Sequence, residues 1–205
     1  IMFSFSKKEP ESVPQEPEKL PNIIGDDIHI LPVDDKGIPI FLPIIVGKIC
    51  DECTTVGIFR TCGNRKTLDK LGNAALNKIK FVIPEGTYLP DLTSFLKEWL
   101  RSLPEPILTP SIVNEYLNEK PESVYEVLRW LDPLNRKCIA YIFHMIKVIL
   151  DHQEENKMNF ENLLICFAVS FTQSNEGLKD EFEFQFFYEN AIKKINNNGS
   201  DFDIF

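Results

Sequence analysis

The chain has 205 residues, 43% of them hydrophobic and 26% charged, with a formal net charge of −9 at pH 7. That suffices for one sizeable core and points to a single domain with tails. No apolar run approaches the ~20 residues of a membrane helix, so direct membrane insertion is not expected, and the start lacks the apolar core of a secretory leader. Four lysines meet eight acids in residues 1–36 and three meet seven in 176–205, leaving the middle near balance at 15 against 16. An acidic chain without a basic stripe argues against nucleic acid as the main partner.

Residues 1 to 22 alternate proline and acid around Glu9-Pro10-Glu11 and Glu16-Pro17-Glu18. Such a segment buries too little apolar surface to offset its ordering entropy and reads as a flexible acidic tail or linker. Ile23-Ile24 and Ile28-His29-Ile30 can pack back as an arm, and Asp34-Asp35-Lys36-Gly37 reads as a turn. Pro43 is tolerated only in a first turn, which places the first helix from Phe41. Phe41, Ile44, Ile45 and Ile49 recur within helical spacing, and Asp51-Glu52-Cys53-Thr54-Thr55 ends the pattern. Asn64 is expected to cap a second helix to about Leu76, with Leu68, Leu71 and Leu76 inward.

Between these helices lies Gly57-Ile58-Phe59-Arg60, followed by Thr61-Cys62-Gly63-Asn64. Two large apolar residues can anchor the loop while the next side chain stands out at a fixed place. That side chain is a guanidinium: always charged, planar, with five donors, and suited to spread phosphoryl charge. On these four residues alone a solvated surface arginine is the simpler reading, since most arginines are exposed.

Asp91 is expected to cap a helix ending at Leu103, before Pro104. Leu92, Phe95, Leu96, Trp99, Leu100 and Leu103 form one apolar stripe, with Lys97 and Arg101 one turn apart roughly opposite its centre. Like charges at that spacing cost a few tenths of a kcal/mol, which a shared anionic partner would offset. Ser123-Val124-Tyr125-Glu126 reads as a capping box for a short helix ending near Leu131. Asn135 is expected to cap a long helix to about Asp151, with Ile139, Ile142, Phe143, Ile146 and Leu150 inward. Asn159 caps the next, burying Leu163, Leu164, Phe167 and Phe171. The run Phe182, Phe184, Phe186, Phe187 reads as a terminal helix covering the core. The whole is an all-α helical bundle without strand periodicity.

The five cysteines, an odd number sparsely spread, read as reduced thiols of a cytoplasmic protein. Cys50-x-x-Cys53 has no second pair, so no metal is expected; Cys50 and Cys166 read as small core residues. There is no Gly-x-x-x-x-Gly-Lys-Ser/Thr loop and no convincing Ser-His-Asp or Cys-His arrangement, so the chain is expected neither to bind GTP itself, nor to carry a cofactor, nor to run a reaction of its own.

Three blocks, in order, resemble the RhoGAP family. Leu96-Lys97-Glu98-Trp99-Leu100-Arg101-Ser102-Leu103-Pro104-Glu105-Pro106-Ile107-Leu108 is similar to its Leu-Lys-x-x-Leu-Arg-x-Leu-Pro-x-Pro-Leu signature. Gly57-Ile58-Phe59-Arg60 resembles its arginine-finger loop, and Asn156-Lys157-Met158-Asn159-Phe160-Glu161-Asn162-Leu163 its Asn-Lys-Met-x-x-x-Asn-Leu helix start. Leu131-Asp132-Pro133-Leu134-Asn135-Arg136 also resembles the family's entry to the long helix. The resemblance spans about Ile38 to Phe187 and implies a RhoGAP-type bundle over 23–190, with a tail at 191–205.

The resemblance implies a monomeric activator of GTP-bound Rho-family small GTPases, with Arg60 as the catalytic finger supplied in trans. It implies partner binding for Lys97, finger bracing by hydrogen bonds for Arg101, and a contact role for Pro106. Where the family often has Gly-Pro-Asn, with the asparagine contacting the GTPase, this chain has Ala168-Val169-Ser170. Ser170 keeps one hydrogen-bonding group but lacks the amide pair, which implies weaker binding with catalysis retained. A GTPase-docking module that does not activate is the alternative.

Overall fold

The computed structural model describes residues 23–109, 111–112 and 129–173. The two expected tails, most of the short helix expected after Ser123 and the Phe182–Phe187 run fall outside them. The helices are α1 (Phe41–Asp51), α2 (Arg65–Ala74), α3 (Leu89–Ser102), α4 (Pro133–Asp151), the single turn α5 (Gln153–Asn156) and α6 (Phe160–Thr172). Among the described residues there is no strand, only an isolated bridge between Val33 and Pro39. The fold is all-α, as the periodicity predicts.

Several boundaries fall where the sequence puts them. α1 starts at Phe41; Asn64 caps α2 by accepting from Lys66 N, and Asn159 caps α6 by accepting from Asn162 N. Two caps move. α3 is capped by Tyr88, and Asp91 is instead its third residue, whose Oδ2 accepts from Tyr88 N at 2.9 Å. α4 is capped by Asp132 rather than Asn135, with Asp132 Oδ1 accepting from Leu134 N at 2.9 Å. Both shifts have one cause: Pro90 and Pro133 open helices, where a missing N–H is harmless and a fixed φ suits the first turn.

α1 packs on α3 and α4, and α3 packs in turn on α2 and α6. The α1–α3 seam is aromatic. Phe41 meets Phe81, Phe95 and Trp99 edge-on, with ring centroids 6.1, 5.8 and 5.0 Å away. Edge-to-face pairs add about 0.5–1.5 kcal/mol each beyond their buried area. On the other side of α3 a second aromatic series, Phe59–Phe167–Phe171–Phe143, runs from the loop after α1 into α6 and α4 at 4.8, 5.8 and 5.7 Å. Gln173 closes the α3–α6 seam, its Nε2 donating to Leu103 O at 2.7 Å and Leu100 O at 3.2 Å, carbonyls that the end of α3 leaves unpaired.

The N-terminal arm packs back through Ile23, Ile28 and Leu31, which are buried, whereas Ile24 is half-buried and Ile30 exposed, and Asp34 closes its turn by accepting from Ile38 N at 2.9 Å and Lys36 N at 3.0 Å. Leu76, expected inward, is only partly buried while Ala75 is buried, and three further core assignments change. Leu150 is half-buried while Ile149 is fully buried, and the buried cysteines are Cys53 and Cys138, whereas Cys50 and Cys166 are half-exposed. No helix of the described residues is long and apolar enough to cross a membrane.

Candidate functional site

The loop after α1 is where the fold stores strain. Gly57 accepts from Arg60 N at 2.8 Å, closing a four-residue turn with Phe59 in its third position at φ 74°. Glycine normally fills that position, because a side chain there crowds the backbone. A bulky residue at positive φ costs on the order of 1–3 kcal/mol and persists only where its surroundings over-determine it. They do so here. The Phe59 ring is buried against Phe167, its carbonyl accepts from Lys97 Nζ at 2.8 Å, and the same ammonium sits 5.9 Å from the ring centroid. Gly57 N, at the head of the turn, donates to Asn156 O at 2.8 Å.

The loop's far end is clamped by the first turns of α3. Gly63 N donates to Ser94 Oγ at 2.8 Å, and Asn64 N donates to Asp91 Oδ1 at 2.6 Å. A Cβ at Gly63 would lie 2.7 Å from Asp91 Cα and 2.9 Å from Pro90 O. Glycine is therefore required there by close approach of two backbones. Buried Asp91 does two jobs with its two oxygens, one for the α3 cap and one for the loop.

Between these anchors Arg60 is exposed, with Ile58 and Phe59 buried before it as the sequence predicts. Its Nη2 donates to Asn162 Oδ1 at 2.6 Å. Among the described residues no carboxylate lies within ion-pairing reach of Arg60, Lys97 or Arg101, whereas Arg65 is paired with both Asp69 and Glu98. Burial pushes the Lys97 ammonium below its usual range, and the neighbouring Arg101 charge adds to that. Burial raises the Cys166 thiol, opposed by the Lys97 and Arg60 cations. The result is a compact cationic surface around one projecting guanidinium, able to receive an anion.

The three motif blocks thus converge, with differences in detail. The hydrogen bond bracing the loop comes from Lys97, where the sequence expectation gave bracing to Arg101. Arg101 is exposed and makes no side-chain hydrogen bond among the described residues. Pro106 is half-buried in the turn after α3. Ser170 is fully buried, its Oγ directed to Cys166 O at 3.4 Å, so it points into the bundle. On α6 Ser170 lies inward, whereas Ile165 and Val169 are exposed.

Two residues quoted only as motif letters do structural work that spacing could not disclose. Buried Asn156 donates Nδ2 to Cys53 O at 2.8 Å and Ile149 O at 2.7 Å, and accepts from Met158 N at 2.8 Å. It thereby ties the end of α1 to α4 beside the loop. Asn162 receives the guanidinium. A polar residue one position before a buried leucine was the available signal. Among the described residues no group of three or more His, Cys, Asp and Glu is placed to hold a metal; Cys53 Sγ meets only His152 Nδ1, at 3.5 Å.

Known proteins resemble this arrangement. The RhoGAP domain model matches residues 39–176. Rho GTPase-activating protein 29 of Rattus norvegicus is 28% identical over 174 residues, covering 69% of this chain and 14% of that protein. GTPase activating protein homolog 3 of Dictyostelium discoideum is 31% identical over 159 residues, covering 70% of this chain and 11% of that protein. The chain therefore spans a small fraction of the relatives it matches. The crystal structure of human Rho GTPase activating protein 15 superposes with a TM-score of 0.68 at 19% identity, covering 88% of this chain and 92% of that one, which establishes the likeness of fold.

Proposed function

This chain belongs to the RhoGAP domain family, and from that premise we propose that it stimulates GTP hydrolysis by a Rho-family small GTPase in its GTP-bound form, with Arg60 as a finger supplied in trans. The observation that carries the reading is a strained, three-way-anchored turn whose one exposed long side chain is a guanidinium without a carboxylate partner among the described residues. The transferring phosphoryl group gathers negative charge on its equatorial oxygens, and little covalent chemistry is left for protein groups to do. A guanidinium held at a fixed place answers that need by electrostatics alone, at small reorganisation cost. Lys97 acts through the loop, holding the Phe59 carbonyl, and Arg101 and Pro106 contribute to the docking surface. The protein works as a monomer in the cytoplasm, a setting supported by its free cysteines.

Single-turnover hydrolysis across a panel of Rho-family GTPases tests this, with wild type and Arg60→Ala. Acceleration by wild type is expected, and Arg60→Ala should lose on the order of 10³–10⁵ of it, about 4–7 kcal/mol of barrier, while still binding. Binding without acceleration anywhere in the panel would make the chain a docking module.

A further inference from the structure

We propose that Asn162 is the positioning residue of the finger: oriented by the α6 cap residue Asn159, its side-chain carbonyl sets where the Arg60 guanidinium rests before a GTPase arrives. The proposal rests on the finger reading above and adds to it a residue 102 positions away in sequence. Asn162 is the third residue of α6, so its backbone is fixed by the first helical turn. The orientation of its amide follows from the cap. Asn159 Oδ1 already accepts from Asn162 N at 3.0 Å, as an N-cap must, and can only accept. The Asn162 group facing that oxygen is therefore Nδ2, which donates to it. A flip would set two acceptors against each other there and turn N–H groups toward the guanidinium. The Asn162 carbonyl is thus held toward Arg60, which it meets through Nη2 at 2.6 Å.

The acceptor's lack of charge matters as much as its direction. Five residues away, Arg65 is gripped by two carboxylates, Asp69 and Glu98. A carboxylate at 162 would hold Arg60 in the same way, by charge-assisted and geometrically matched bonds roughly twice as strong as neutral ones. Such a pair would compete with the phosphoryl oxygens for the guanidinium. The amide carbonyl fixes a direction, engages one of five donors, and yields to an anion.

The test is single-turnover hydrolysis by a responsive Rho-family GTPase, using Asn162→Asp and Asn162→Ala, each with Arg60 intact and with Arg60→Ala. Binding to the GTPase loaded with a non-hydrolysable GTP analogue is measured alongside. Both variants keep the residue-162 backbone N–H that Asn159 caps. Asn162→Asp should lower the saturating rate ~10-fold with affinity changed less than ~2-fold, and Asn162→Ala should lower it ~3-fold through lost ordering of the arginine. In the Arg60→Ala background neither should matter, the non-additivity expected of two residues acting as one unit. Equal losses in both backgrounds, or no loss in either, would overturn the assignment. Guanidinium nitrogen NMR on the free protein separates this from the wider reading. Slow rotation of the Arg60 guanidinium, released in Asn162→Ala, supports the assignment even if no GTPase responds; free rotation in wild type sinks it.

Discussion

The two faces of α3 hold the molecule in different ways. One face packs Phe95 and Trp99 on Phe41 in an aromatic seam, where contact is broad and non-directional. The opposite face, through Lys97, and the helix's first two turns, through Asp91 and Ser94, hold the Arg60 loop by single directional bonds: Lys97 donates to Phe59 O, and Ser94 and Asp91 accept from Gly63 N and Asn64 N. Burial scales with area and tolerates small shifts, whereas a hydrogen bond fails within a fraction of an ångström. The seam should therefore govern stability, and the loop should govern where a guanidinium stands. Only a residue belonging to both regions should move both quantities.

Trp99→Ala is the largest expected blow to one side of that division. Trp99 is fully buried, and removing such a ring costs about 3–5 kcal/mol through lost transfer energy and the cavity left behind. Urea denaturation should show that loss, while single-turnover stimulation per folded molecule, at a temperature where the variant remains folded, stays close to wild type. A collapse of stimulation at full folding would mean that the seam also sets loop geometry.

Gly63→Ala is built to break the division. The new Cβ would press on Asp91 Cα and Pro90 O, which are backbone atoms and cannot swing aside. The loop end must lift from α3, costing about 1–3 kcal/mol as overpacking does. Because a displacement near 1 Å can cost as much as ~100-fold in a positioned reaction, stimulation should fall by on the order of 10–100-fold. Unchanged stimulation at reduced stability would show that Arg60 is positioned by the near-end anchors, Phe59, Lys97, Asn156 and Asn162, rather than by the loop's far end.

This division also decides what could be read from the sequence. The helices were legible because the apolar spacing that defines them is local: the α1 start, the Asn64 and Asn159 caps and the buried Leu163, Leu164, Phe167 and Phe171 all follow from neighbours within a few positions. The caps at Tyr88 and Asp132 were missed because a proline after them reads as loop when it in fact opens the helix. Arg60 could be singled out as the exposed residue of an anchored turn. Its supports could not. Lys97 and Arg101 share one face of α3 a turn apart, so which of them reaches Phe59 O depends on where α3 sits along its axis over the loop, a position set by long-range packing that includes the aromatic seam. Ser170 turned inward for a similar reason: one step along α6 changes its facing by about 100°, more than the distinction between core and surface allows.

Lys97 offers the smallest effect and the sharpest one, because it should move stability and function in opposite directions. Its pKa in the folded protein lies below the usual lysine value of 10.5, chiefly through burial. Between the folded pKa and 10.5 the unfolded chain therefore binds more protons than the folded one. Stability must then rise with pH across that window, since folding no longer carries the burden of desolvating a charge. Over the same window the site loses a cation, so affinity for the GTP-bound GTPase should fall, the neutral amine still donating to the Phe59 carbonyl. Urea midpoints and binding constants measured from pH 8 upward should diverge in wild type, and Lys97→Met should remove this residue's share of both slopes. If stability and affinity instead decline together, and do so equally in Lys97→Met, the charge at 97 belongs to neither face of α3, and the loop owes its position to packing alone.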